Sequence, residues 1–157
     1  MAERTPSQTV GPFFHEALRW KDGGPLRPAA QGEGLILAGR LIDGAGNPVG
    51  DAMVEAWQQA PAGLVRVETA GDGTFRIETV MPQGTHPHLG IAIFARGLLK
   101  PLLTRVYLDE GIARADPQMQ QLAASPRLAT LVAVREGGAY RWDVRLQGEG
   151  ETVFFAA

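Results

Sequence analysis

Short runs in which apolar and polar side chains alternate recur along the chain, separated by glycine and proline. In Phe75-Arg76-Ile77-Glu78-Thr79 the apolar residues fall on one face and the charges on the other. Tyr140-Arg141-Trp142-Asp143-Val144-Arg145-Leu146-Gln147 repeats the pattern at greater length. A period of two is what a half-buried strand of an antiparallel sheet requires, because successive side chains point to opposite faces. The second run follows residues 128–134 through Glu136-Gly137-Gly138, a glycine turn, so the two predict a hairpin. Further strands are expected over 35–42, 52–58, 64–68, 89–95 and 102–108, with Asp43-Gly44-Ala45-Gly46-Asn47-Pro48 as the loop joining the first two. Segment 89–95 is apolar on both faces, as in a central strand covered from each side. Helix signals are few. Asp116-Pro117 reads as an N-cap with proline at the first helical position, and good helix formers follow to Leu122. Short strands at this spacing predict an all-β antiparallel sandwich of about eight strands with one short helix.

Residues 1–33 behave differently. They hold Pro6, Pro12, Pro25 and Pro28 without any strand alternation, yet Val10, Phe13, Phe14, Leu18 and Trp20 are too apolar for a solvated tail. The expectation is an irregular N-terminal arm that docks on its own sandwich or on another chain, leaving an apolar patch around it. The sandwich itself would fill 34–157. No repeat or linker interrupts it, so one domain is expected.

Composition narrows the function classes. At 157 residues, 45% hydrophobic and 20% charged, the chain has the balance of a globular domain able to bury a core. Fifteen basic against seventeen acidic residues leave a net charge of -2, which gives no electrostatic case for nucleic acid or an anionic membrane. The absence of cysteine excludes disulfides, thiolate metal sites and a thiol nucleophile, and fits a reducing compartment. No apolar run approaches the roughly 20 residues needed to span a bilayer. The start, Met1-Ala2-Glu3-Arg4-Thr5-Pro6, lacks the basic and apolar regions of a signal peptide, so a cytoplasmic protein is expected.

Four stretches carry a resemblance. Thr5-Pro6-Ser7-Gln8-Thr9-Val10-Gly11-Pro12-Phe13 resembles the opening arm of intradiol ring-cleaving dioxygenase subunits. Leu37-Ala38-Gly39-Arg40-Leu41-Ile42-Asp43-Gly44 followed by Val54-Glu55-Ala56-Trp57-Gln58 is similar to that family's first hairpin with its V-E-x-W-Q strand. Pro87-His88-Leu89-Gly90-Ile91-Ala92-Ile93-Phe94-Ala95-Arg96-Gly97 resembles the P-H-I-x-x-x-x-F-A-R-G strand of the alpha type of subunit, and residues 140–155, ending Gly148-Glu149-Gly150-Glu151-Thr152-Val153-Phe154-Phe155, resemble its C-terminus. The stretches span nearly the whole chain in the family's order and point to the alpha, non-iron-binding subunits of protocatechuate-cleaving enzymes. The resemblance implies a β-sandwich assembled with a homologous beta subunit that holds a non-haem Fe(III). The implied reaction inserts both atoms of dioxygen between the two hydroxyl-bearing carbons of protocatechuate, giving 3-carboxy-cis,cis-muconate.

The family's catalytic subunits bind iron through two tyrosines and an H-x-H pair of histidines on one strand. Phenolate oxygens are hard anionic donors suited to the ferric state, and alternate strand positions aim two imidazoles at one face. Counting back from Phe94-Ala95-Arg96-Gly97, His88 holds the position of the first ligand histidine and Gly90 that of the second, while His86 lies upstream in a loop. Both ligand tyrosines of catalytic relatives lie between the W-Q and H-x-H strands; no tyrosine stands between Trp57 and His88. The stretch is also shortened, as though the first ligand's loop were cut back to Gln59-Ala60-Pro61-Ala62-Gly63. Tyr107 and Tyr140 read as packing residues of the sandwich. No metal ligand set is therefore expected, and His88 and Gly90 mark a vestigial position. By the resemblance, Thr9, Gly11, Pro12 and Phe13 would wall the partner's substrate pocket. Arg96 is the other candidate, because its planar fork suits a substrate carboxylate, against the alternative of a structural ion pair at a strand end. Arg141, Asp143, Arg145, Glu149 and Glu151 read as surface or rim charges. Two other readings stay open: an autonomous metalloenzyme with a non-standard site at His86 and His88, and a non-enzymatic β-sandwich binding module.

Overall fold

The computed structural model describes residues 25–27, by backbone alone, and 33–156. In chain order the strands are β1 (Pro25–Arg27), β2 (Gly34–Ile42), β3 (Met53–Gln58), β4 (Gly63–Glu68), β5 (Thr74–Val80), β6 (Leu89–Phe94) and β7 (Leu102–Val106). Helix α1 (Glu110–Ala115) and two 3-10 turns (Pro117–Met119 and Pro126–Leu131) follow, and then β8 (Val134–Glu136), β9 (Ala139–Arg141) and β10 (Val144–Arg145). They form two sheets, as the alternation predicts. The first is antiparallel throughout, in the order β1-β4-β3-β6-β7. The second is built on β2, with β5 antiparallel on one side, β9 and β10 on the other, and β8 beyond β9.

The buried face of each strand is the apolar half of its alternation. Leu35, Leu37 and Leu41 of β2 and Phe75 and Ile77 of β5 pack against Val54 and Ala56 of β3, Val65 of β4, and Leu89, Ile91 and Ile93 of β6. Each of these side chains larger than alanine contributes on the order of 1.5–3 kcal/mol when withdrawn from water. Strand β6 is buried along almost its whole length, as its two-sided apolar pattern predicts. A second apolar cluster joins Tyr107, Ala113, Met119, Leu128, Leu131 and Val153 beneath the helical segments.

Five expectations need correction. The long run 140–147 is not one strand: it divides at Trp142-Asp143 into β9 and β10, because the Asp143 carboxylate accepts the Arg40 backbone N–H (3.0 Å) where a strand carbonyl would stand. Both pieces pair with β2 in parallel, so the sandwich is not purely antiparallel. The hairpin turn at Gly137-Gly138 is present, but most of 128–134 is helical, and only Val134–Glu136 forms the incoming strand. Ser125 caps that 3-10 turn through the Arg127 N–H, with Pro126 at its first position. Asp116 caps a 3-10 turn as read, yet the α-helix lies earlier at Glu110–Ala115, where the Asp109 side chain accepts the Ile112 N–H. Six residues with a glycine at the second are too few to show a helical period. Finally, the arm is not wholly irregular, since Pro25–Arg27 adds a short strand to β4.

Gly39 is demanded by the second sheet. A Cβ there would sit 1.8 Å from the Trp142 carbonyl oxygen, where β9 gives way beside β2. No helix among the described residues is long and apolar enough to cross a membrane.

Candidate functional site

Strand β6 organises every candidate residue outside the arm. Leu89, Ile91 and Ile93 point into the core, so positions 88, 90 and 92 face away from it. Pairing brings Trp57 of β3 to one side of Gly90 and Arg105 of β7 to the other, and Leu89 opposite Val106 places His88 beside Tyr107. The two rings lie 5.4 Å apart and tilted.

Position 90 is closed. A Cβ on Gly90 would meet three indole atoms of Trp57 at 2.2–2.6 Å, so the ring occupies the space that a side chain at this position would need. The outer half of that indole remains in solvent, at 48% exposure. His88 is oriented by its own loop: Nδ1 lies 2.8 Å from the His86 carbonyl oxygen, which can only accept, so Nδ1 carries the hydrogen. Burial holds its pKa below the ordinary 6.5, and the Arg105 charge works in the same direction. His86 Nδ1 is buried and has no hydrogen-bond partner among the described residues.

Tyr107 is fully buried, and its hydroxyl donates to Asp116 Oδ2 at 2.6 Å. Burial, and then that bond, push the phenol up to about 12, so it keeps its proton at neutral pH. Asp116 is 4% exposed. Burial opposes its charge, but bonds from Tyr107 and the Gln118 N–H, with Arg105 3.4 Å away, hold its pKa below the ordinary carboxylate value. Arg105 in turn contacts the Gln118 side chain and lies over the Phe155 ring, 5.7 Å from its centre. Tyr140 is in the other sheet, paired with Leu37 and 6.0 Å from the Arg135 guanidinium.

A ferric site needs phenolates and free imidazole nitrogens converging on one point. Here one tyrosine holds its proton against an aspartate, the second stands in the opposite sheet, and the indole of Trp57 covers the second histidine's position. Among the described residues no group of three or more histidines, aspartates or glutamates is arranged to hold a metal. These side chains do not fit the iron that catalytic intradiol subunits carry.

Arg96 lies at the far end of β6 from His88, eight residues or roughly 26 Å along an extended strand. It lines an open cleft of about 730 Å3 with Asp43, Pro48, Val49, Gly50, Asp51 and Gly97. Its Nε contacts Asp51 Oδ2. The strand-end ion pair weighed against a substrate role is therefore present, though the Arg96 side chain stays largely exposed. Thr9, Gly11, Pro12 and Phe13, with the apolar arm residues Val10 and Phe14, lie outside the described residues. Arg141 and Asp143 pair at the surface at 3.0 Å, and Glu151 lies 3.5 Å from Arg127, in keeping with their reading as surface charges. Two participants escaped the sequence reading. Asp51 meets Arg96 only through strand pairing, and Asp116 was visible as a cap but not as the partner of Tyr107.

No family model matches the chain. Over an alignment of 191 positions it is 38% identical to the protocatechuate 3,4-dioxygenase alpha chain of Burkholderia cepacia, covering 98% of this chain and 97% of that one. The alpha chain of Pseudomonas putida matches at 37%, covering 96% and 95%. This chain belongs to the protocatechuate 3,4-dioxygenase alpha-chain family. Membership makes it a subunit of an intradiol dioxygenase, an oxidoreductase, and non-haem iron belongs to the chemistry of that family. It also sets aside the reading as a non-enzymatic binding module. The beta chain of Burkholderia cepacia matches more weakly, at 28% over 93% of this chain and 77% of that one. Alignments of 191 positions against a chain of 157 residues mean that gaps fall in this chain. Among solved structures, the dioxygenase domain of a carbohydrate-binding fusion protein from Streptomyces sp. SirexAA-E shares the fold, with a TM-score of 0.54 at 20% identity over 93% of this chain and 99% of that one.

Proposed function

We propose that this chain works as the iron-free alpha subunit of a protocatechuate 3,4-dioxygenase in which a homologous beta subunit holds Fe(III). The substrate would bind near the interface, where ring opening between the two hydroxyl-bearing carbons yields 3-carboxy-cis,cis-muconate. The observation that carries this reading is the closure of position 90 by Trp57: the place of a ligand histidine has neither a donor atom nor the room for one. On this reading the chain supplies pocket wall and assembly surface. Thr9, Gly11, Pro12 and Phe13 of the arm, and Arg96 at the end of β6, face the partner's site, and Arg96 receives the substrate carboxylate. The chain acts as one domain and in the cytoplasm.

The test is reconstitution. The chain is co-produced with the beta-type chain of its own organism, the complex is isolated by size, and loss of protocatechuate absorbance is followed in air. The expected result is a stable complex that consumes protocatechuate, while this chain alone does not. A beta-type chain that turns over at the same rate with or without this chain, and does not bind it, would contradict the reading.

A further inference from the structure

The cleft beside Arg96 contains a carboxylate that the family resemblance does not account for. The ladder of β3 and β6 ends with Met53 opposite Phe94. Continued by two residues on each strand, that register sets Asp51 across from Arg96, and the two side chains meet through Nε and Oδ2. Asp51 is the inner member, 23% exposed against 73% for Arg96. Its Oδ2 atom is shut off from solvent and accepts no hydrogen bond among the described residues, so the Arg96 charge is what offsets the burial of that oxygen. Among the described residues no side chain other than Asp51 pairs with Arg96, and the Arg96 side chain is largely exposed, so the outer part of its guanidinium is open to a ligand.

We propose that Asp51 is a positioning residue: by holding the Nε edge of Arg96 it presents the terminal edge of the guanidinium toward a ligand carboxylate at the mouth of the cleft. The inference rests on the reading that Arg96 receives the substrate carboxylate. A free exposed arginine loses rotamer freedom when it binds, and a fork fixed beforehand loses less of it. Fixing also sets where the carboxylate lies and hence where the ring lies against the reacting centre. A second effect opposes this one. The Asp51 charge repels an anionic ligand, and the repulsion is weakened by water and salt at the exposed mouth of the cleft. The other acid in the cleft, Asp43, is turned to its own loop, accepting the Ala45 and Asn47 N–H groups at 2.9 and 2.8 Å. The sign of an Asp51 substitution therefore decides between anchoring and repulsion.

The experiment uses the active complex with its beta-type partner and compares protocatechuate with catechol, which lacks the carboxylate. Arg96→Ala is expected to lower kcat/KM for protocatechuate about ten- to a hundredfold and to leave catechol within about twofold. Asp51→Asn, which keeps the shape and removes the charge, is expected to lower the protocatechuate value about threefold to tenfold, chiefly through KM, again sparing catechol. Asp51→Glu should recover part of the loss. Thermal unfolding of each complex checks that the variants fold, and Asp51→Glu serves if Asp51→Asn does not. If Arg96→Ala shifts the preference between substrates while Asp51→Asn leaves it unchanged or raises it, the positioning role is overturned and the reading of Arg96 stands. If Arg96→Ala leaves the preference unchanged, the reading of Arg96 falls and takes this inference with it.

Discussion

Gly39→Ala is expected to lower the stability of the chain by more than about 3 kcal/mol, or to prevent its accumulation as soluble protein. The added methyl would stand 1.8 Å from the Trp142 carbonyl oxygen, 2.8 Å from its carbon and 2.9 Å from Cζ of Phe75. The oxygen is backbone and cannot rotate aside, so β2 and β9 would have to separate. That movement disturbs the edge-to-face contact of Phe75 with Trp142, whose centres lie 6.5 Å apart, and the bond from the Trp142 indole to the Thr130 carbonyl. For a chain of this length the loss corresponds to a fall of roughly 6–12 °C in Tm. Thermal unfolding followed by circular dichroism checks it, and a Tm within 2 °C of the parent, to order of magnitude the effect of an ordinary surface change, would contradict the packing described.

Asp116→Ala carries the second large effect, about 3 kcal/mol at neutral pH. The carboxylate satisfies the buried Tyr107 hydroxyl, caps the Pro117–Met119 turn through Gln118 and lies beside Arg105, so its removal strands three groups together. Tyr107→Phe should cost less, about 1–2 kcal/mol, because it removes one donor and leaves the carboxylate its other partners. The pH dependence has a definite sign. Asp116 titrates below its ordinary 3.8 when folded, so its contribution is complete above that value and is lost as pH falls through the lower, folded value. Urea unfolding at neutral and acid pH should show the gap between parent and Asp116→Ala narrowing only on the acid side. A gap that widens there would contradict the assignment.

The architecture was legible because burial on one face imposes a period of two, which β2, β3 and β5 carry over six to nine residues each, while the two-sided apolar run of β6 marks a central strand. Legibility ended where a local side chain replaced a ladder bond. Asp143 breaks an alternation that continues unbroken in the sequence, and nothing in the residues themselves distinguishes a parallel from an antiparallel neighbour for β9 and β10. Helix α1, capped by Asp109, is too short to show a period. The site divides in the same way. The lack of tyrosine between Trp57 and His88 and the glycine at position 90 stand in the sequence, whereas the indole above Gly90 depends on the register of β3 against β6. Asp51 and Arg96 lie 45 residues apart, and only strand pairing brings them together.

In the proposed assembly the beta-type partner holds the iron and this dioxygenase subunit holds none. The iron content and visible absorption of the chain purified alone from cells grown with ample iron test this. A colourless protein without bound iron is expected. Near-stoichiometric iron with tyrosinate-like visible absorption would contradict it, and His86, His88, Tyr107 and Tyr140 would then be the residues to substitute.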